Sequence, residues 1–304
     1  MEIFFRYSRP SRFGSKAVLL YFFFFLIITP FFISAIPNFI DFDSYQAIVE
    51  GGWAWEKYRT EPLSAGLLML MHYGGFGALG LYLSSWFISF AGFIFVLSSQ
   101  GKAKGTLYLF LILNPIALVL LQFSRQYLAY IFFIVAVLTL SNKLKSKIGI
   151  CASFLSHNAS SGFSLLLYRL VYSRILIFVV IILIATVAFS FISFTVFPEY
   201  THHDVVRGRG RVALVIVSFL FFMTISIKRP KVILLFFLMM ACFIFMYYVS
   251  PQAGRFAPYF LAFLASYGVF TFNSTANIFL IHSFFIANIV ASFFMVTSGL
   301  YGFG

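Results

Sequence analysis

Residues 17–37 read AVLLYFFFFLIITPFFISAIP, a run without a charged side chain and of the length that a helix needs to cross a lipid bilayer. Basic residues precede it, with Arg12 and Lys16 nearest, and it has no convincing small-residue cleavage site. Because the run is also longer than the apolar core of a signal peptide, it predicts a retained signal anchor rather than a removed leader.

The whole chain shares this apolar character. Of its 304 residues, 62% are hydrophobic and only 10% are charged, and the mean hydropathy is +1.00. These values exclude a soluble enzyme, a nucleic-acid-binding module and a secreted disulfide scaffold. The net charge of +13 comes from lysines and arginines that lie mostly in short caps between apolar runs, as expected of a protein that meets membrane lipid.

Lipid offers no partner to unpaired backbone groups, so each apolar run predicts a helix. We therefore predict an all-α fold, a single polytopic integral membrane domain over residues 1–304 with about 9–11 transmembrane or re-entrant helices. The predicted spans lie near residues 17–37, 78–98, 106–122, 126–141, 148–168, 175–197, 212–227, 232–249, 258–272 and 278–297.

Residues 38–61 differ from the rest of the chain because they hold five of its eight acidic residues. Acidic residues contribute little to membrane topology, so this cluster suggests a site. The apolar stretch that follows, residues 62–73, is too short to cross a bilayer and is broken by glycines. It predicts a re-entrant or interfacial helix.

Basic caps predict the orientation. The positive-inside rule places the N-terminus and the lysines near residues 102–104 and 143–147 in the cytoplasm, which leaves the acidic loop 38–61 on the periplasmic side together with Arg125. The polar residues around His157 favour two half-helices within 148–168 over a single span. The number of basic residues on each side of the membrane does not decide between these two forms. With two half-helices, the Arg-rich loop 198–211 also lies on the periplasmic side.

Three arginines are candidate ligands for phosphate oxygens, because a guanidinium stays charged and matches the geometry of phosphate. Arg125 lies between two predicted spans, Arg211 ends the cluster RGRGR, and Arg255 lies in SPQAGRFAP between two prolines. The alternative for Arg125 and Arg255 is an anchor to lipid head groups, and for Arg211 a charge that only sets topology.

Three residues are candidates for a catalytic base. His157 titrates near neutral pH and lies in a polar break, Glu61 precedes Pro62 at the start of the short helix, and Asp43 belongs to the sequence Asp-Phe-Asp. Their structural alternatives are an interhelical hydrogen bond for His157 and solvated carboxylates for the two acids. Tyr45 and Trp53 are candidates to contact sugar rings, or members of an interfacial aromatic belt.

Five short motifs occur in a suggestive order: DFDSY at 41–45, TEPL at 60–63, SRQYLA at 124–129, SFLSHNAS at 153–160 and GRFAPYF at 254–260. In this order and spacing the chain resembles the EpsG-like branch of bacterial Wzy-type polysaccharide polymerases, over roughly residues 40–260. Compared with many such polymerases it is shorter and has no large periplasmic loop.

The resemblance implies a multi-pass enzyme of the bacterial inner membrane, with a cytoplasmic N-terminus. Such an enzyme joins undecaprenyl-pyrophosphate-linked repeat units into O-antigen, capsule or exopolysaccharide at the periplasmic face. Its implied partners are the lipid-linked glycan, membrane lipid, a chain-length regulator and a flippase, but no nucleic acid. We expect Arg125, Arg211 and Arg255 to bind the pyrophosphate, with no metal or cofactor, while His157, Glu61 or Asp43 activates the acceptor.

Two other functions stay open. A polyprenyl-phosphate-sugar-dependent glycosyltransferase would add one sugar, and Asp43 would then matter more than His157. A lipid-linked oligosaccharide flippase or another transporter would line a pathway with charges. The charges here gather at the ends of the predicted spans instead, and the two halves of the chain show no duplication.

Overall fold

The computed structural model describes residues 15–39, 41–114, 117–118, 120–140, 142–157, 230–249 and 256–262, with 216–217, 220–221, 283, 286–287 and 290. Within these ranges the regular structure is helical and no strand occurs, which confirms the predicted all-α class. The helices are α1 (Ser15–Ala35), α2 (Phe42–Gly51), α3 (Ala54–Tyr58), α4 (Pro62–Gly74), α5 (Gly77–Gln100), α6 (Lys102–Leu113), α7 (Ser124–Leu138), α8 (Lys143–Ser156) and α9 (Pro230–Val249). Two short 3-10 turns, Ile36–Asn38 and Leu120–Gln122, join them.

Two helical segments in the described part of the chain are long and apolar enough to cross a membrane: Val18–Asn38, which covers most of α1, and Gly77–Gln100, which is α5. They agree with the predicted spans 17–37 and 78–98. The stretches Lys104–Leu113, Ser124–Leu138 and Phe237–Val249 are apolar but shorter. The predicted spans beyond residue 158, apart from α9, lie mainly outside the described residues.

The predicted span 106–122 is wrong as one continuous helix. α6 ends at Leu113, and Asn114 takes an extended conformation with ψ 152°. Proline at position 115 explains this break, because the residue before a proline is sterically disfavoured in the helical region. The Asn114 side chain then accepts a 2.9 Å hydrogen bond from the backbone N–H of Ala117.

The core of the bundle is formed by α6 and α7. Every residue from Leu107 to Leu113 is fully buried, as expected of a helix that is apolar around its whole circumference. α8 packs along α7, and Ser153 donates a 2.8 Å hydrogen bond to the Ala129 carbonyl between them. This pairing holds the end of α8 near the start of α7.

The acidic segment 38–61 is largely helical, since it contains α2 and α3. α4 begins at Pro62, a residue favoured at the first helical position, and ends at Gly74. Gly75 follows in the left-handed conformation with φ 69°. The bounds of α4 agree with the predicted short helix 62–73. Its buried face includes Ser64, Ala65 and Leu68, and Ser64 donates a hydrogen bond to the Ser156 carbonyl at the end of α8.

Close packing of α7 and α8 predicts a sharp difference between two Gly→Ala substitutions. A Cβ added at Gly149 would lie 2.9 Å from the Ala136 Cβ and 3.0 Å from the Phe132 carbonyl oxygen. At Gly66 in α4 an added Cβ meets nothing within 4 Å. We expect Gly149→Ala to lower the free energy of unfolding by about 1–3 kcal/mol. Gly66→Ala should raise it by up to about 1 kcal/mol.

Chemical denaturation in detergent, followed by the loss of helical circular dichroism, measures both variants. Equal effects of the two substitutions would contradict this packing of α7 against α8.

Candidate functional site

Arg125 is the centre of a charged cluster at the start of α7. Its Nη1 donates to the Glu61 Oε2, and its Nε donates to the Tyr45 hydroxyl at 3.2 Å. The guanidinium carbon lies 3.6 Å from the centre of the Tyr58 ring. The cation is therefore held by an ion pair, a phenol oxygen and an aromatic face.

His157 completes the cluster from the end of α8. Its Nε2 lies 3.9 Å from the Glu61 Oε1, so the Glu61 carboxylate stands between the imidazole and the guanidinium. The side chains of Arg125, Glu61 and His157 are 15%, 6% and 13% exposed. Attraction between the charges of Arg125 and Glu61 is stronger in this enclosed setting than it is in water.

The main chain explains why these three residues meet. Glu61 directly precedes the first residue of α4, and His157 directly follows the last residue of α8 in an extended conformation with φ −159° and ψ 131°. The hydrogen bond from Ser64 to the Ser156 carbonyl ties these two helix ends together. α8 thus stops at the polar residues where a break was predicted.

The start of α7 is fixed in turn against α5. The hydroxyl groups of Ser85 and Ser124 lie 2.7 Å apart, and the Tyr82 hydroxyl donates to the Gln122 carbonyl at 3.0 Å. These buried hydrogen bonds place Arg125 on a rigid support. Such a support is what a preorganised binding site requires.

Tyr45, a predicted sugar contact, is 2% exposed. Its ring packs edge-on against Tyr82, with the ring centroids 5.9 Å apart, and its hydroxyl accepts from Arg125. Burial raises the pKa of Tyr45, opposed by the charge of Arg125 and reinforced by that of Asp41. The phenol stays neutral at physiological pH, and its position in the structure is that of a support for the guanidinium.

Trp53 and Asp43 are placed outside the charged cluster. Trp53 is 48% exposed at the start of α3, and its Nε1 donates to the Ala47 carbonyl at 2.9 Å. Asp43 is exposed in the first turn of α2. Arg211, Arg255 and the loop 198–211 lie outside the described residues. The helical segment 257–262, which follows Arg255 in sequence, packs its Tyr259 against Tyr130 and Phe133 of α7.

Tyr58 is the second tyrosine of the cluster, and its contact with Arg125 was not predicted from the sequence. Burial raises the pKa of this half-buried phenol, opposed by Arg125 and reinforced by Asp41 and Glu61. Its place in the chain, three residues before Glu61, is visible in the sequence. Its stacking on a residue of α7 is not, because that contact depends on how the helices pack.

Comparisons of the chain with protein-family models, with curated proteins and with solved structures find no match. Over the described residues the protein is all-helical, with two candidate membrane spans and an enclosed Arg–Glu–His cluster.

Proposed function

We propose that this protein is a polytopic inner-membrane glycosyltransferase that joins undecaprenyl-pyrophosphate-linked repeat units into a polysaccharide at the periplasmic face. Support for the membrane setting comes from α1, where Leu19, Phe23 and Leu26 are 64%, 59% and 49% exposed. Their spacing forms one apolar stripe along the helix, and lipid is the environment in which such a stripe is stable.

The observation that carries the proposal is the meeting of Arg125, Glu61 and His157 at the ends of three helices. Transfer of a glycan from a diphosphate needs a cation to stabilise the leaving oxygens and a base beside it. Arg125 supplies a permanent positive charge, and His157 supplies a group that accepts a proton near neutral pH. Both are largely enclosed, so water competes weakly with the acceptor sugar.

The proposed reaction balances with these groups alone. An acceptor hydroxyl attacks the anomeric carbon of the donor glycan, and a new glycosidic bond forms. The bond between that carbon and the diphosphate oxygen breaks, and the lipid diphosphate leaves with its charge stabilised by Arg125. The hydroxyl proton passes to His157, which later returns it to water.

Among the three candidate bases, the cluster favours His157. The Glu61 carboxylate is already engaged in an ion pair with Arg125, which holds it at the cation rather than at an acceptor hydroxyl. Asp43 is exposed to solvent in the first turn of α2. A glycosyltransferase that adds one sugar through Asp43 therefore has less support. Glycan gel electrophoresis separates the two functions, because only a polymerase makes a ladder of chain lengths.

We expect His157→Ala to leave glycans of a single repeat unit and no ladder when it replaces the wild-type protein in its own bacterium. Loss of one general base lowers such a rate by about 100- to 10,000-fold. The measurement is glycan gel electrophoresis at matched protein levels. Cys151→Ser, a change at an exposed position of α8, is the control that should retain the ladder. A normal ladder from His157→Ala would reject the assignment.

A further inference from the structure

The Glu61 carboxylate lies beside both Arg125 and His157. One carboxylate oxygen, Oε2, accepts from Arg125, while the other, Oε1, lies 3.9 Å from the His157 Nε2. The second separation is longer than a hydrogen bond, so the carboxylate is bonded to the cation and only adjacent to the imidazole. A shift of roughly 1 Å would bring Glu61 to hydrogen-bonding distance of His157.

Among the described residues, the hydrogen bonds of Arg125 engage only part of its donor set. A guanidinium carries five N–H groups, and the contacts given above for Arg125 use one at Nε and one at Nη1. Tyr58 covers one of its faces and keeps the group in place. An incoming diphosphate would therefore meet a fixed cation whose present counter-ion is a carboxylate.

We propose that Glu61 is a positioning residue that competes with a diphosphate group for Arg125 and, once displaced, orients His157 as the base. This inference rests on the proposed function, since it names the ligand chemistry of the same cluster. In the empty site the ion pair stabilises the buried guanidinium. In the occupied site the diphosphate takes over Arg125, and the freed carboxylate accepts the imidazole N–H, leaving the other ring nitrogen to receive the proton of the acceptor.

This arrangement links binding to catalysis. The imidazole gains its hydrogen bond to Glu61 only when the diphosphate is present, so binding of the donor assembles the base.

The test is the substitution Glu61→Gln in the full-length protein, because competition predicts opposite effects on binding and on turnover. The glutamine has nearly the same shape but no charge, so it releases Arg125 more readily. We expect inorganic pyrophosphate to bind roughly tenfold more tightly to Glu61→Gln than to the wild type. The rate of chain elongation at saturating substrate should fall at least about tenfold, because His157 loses its orienting carboxylate.

Calorimetric titration in detergent measures pyrophosphate affinity, with inorganic phosphate as a second probe and a polyprenyl diphosphate in nanodiscs as a third. Tighter binding of all three probes indicates recognition of phosphate oxygens. An increase in affinity only for the polyprenyl diphosphate indicates that the protein also contacts the lipid. Glu56→Gln, at an exposed position of α3, is the matched control and should change neither binding nor elongation. Glu61→Asp keeps the charge and should bring the affinity back toward that of the wild type.

Unchanged or weaker pyrophosphate binding by a folded Glu61→Gln variant, or no binding by either protein, would overturn the competition. A normal elongation rate in that variant would overturn the orienting role. Tighter pyrophosphate binding in Glu61→Gln, together with a wild-type protein that makes no polymer, would support the competition while rejecting the proposed function. Loss of elongation with unchanged binding would reject the inference and leave the proposed function standing.

Discussion

We expect Arg125→Ala to abolish the polysaccharide ladder and to destabilise the protein. The substitution removes the cation that would stabilise the leaving diphosphate, which lowers the rate by at least about a hundredfold. It also leaves Glu61 buried without the ion pair that balances its charge, which costs about 3–5 kcal/mol. Both effects arise from one side chain because it is the shared partner of Glu61, Tyr45 and Tyr58.

A double variant separates the two effects of losing Arg125. Arg125→Met combined with Glu61→Gln removes both charges and keeps much of the side-chain volume, so most of the lost stability should return. Elongation should not return, since the leaving group still lacks its cation. The measurements are unfolding in detergent and glycan gel electrophoresis at matched expression. A full ladder from either variant would show that Arg125 does not act on the diphosphate.

We expect Trp86→Ala to cause a large loss of stability outside the site. Trp86 is 1% exposed, and its ring stacks between Phe25 and Phe32 at centroid distances of 4.6 and 4.5 Å. Its Nε1 donates to the Thr29 hydroxyl at 3.1 Å, so this one residue of α5 holds more than a full turn of α1. Truncation to alanine should lower the free energy of unfolding by about 3–5 kcal/mol.

Two variants test the origin of that loss. Trp55→Ala removes the same side chain at a position that is 48% exposed, and it should change stability by less than about 0.5 kcal/mol. Trp86→Phe keeps an aromatic ring between the two phenylalanines but loses the donor to Thr29, so its effect should lie between the others. Denaturation of all three in detergent measures the difference. Similar losses from Trp86→Ala and Trp55→Ala would contradict the stacking of α5 on α1.

Parts of the fold were predicted correctly because their signals are local. The start of α4 follows from Pro62, and the end of α8 follows from the polar residues at and after His157. The end of α6 was equally readable from Asn114 and the proline that follows it, yet the hydropathy of residues 106–122 concealed the break. Hydropathy averages over a window, whereas the conformation before a proline is set by a single peptide unit.

The residues of the site were predicted from the sequence, but their arrangement was not. Arg125, Glu61 and His157 were each singled out as a polar residue in an apolar chain, and Glu61 and His157 were separate candidates for one role. In the structure the carboxylate lies between the cation and the imidazole, which gives the three residues different tasks. Tyr45, a candidate to contact a sugar ring or to join an aromatic belt, lies buried against Tyr82, and its hydroxyl accepts from the guanidinium.

Composition and the length of the apolar runs, which belong to the sequence alone, determined that the described residues are helical and which residues are chemically unusual. Only the tertiary structure decided which of those residues meet, because Glu61 and Arg125 are 64 positions apart and carry no local signal for each other. Their pairing depends on the packing of α4, α7 and α8 and on the hydrogen bonds of Ser64 and Ser153. An ion pair forms only between side chains that lie close together in space, and the packing of the core sets that distance.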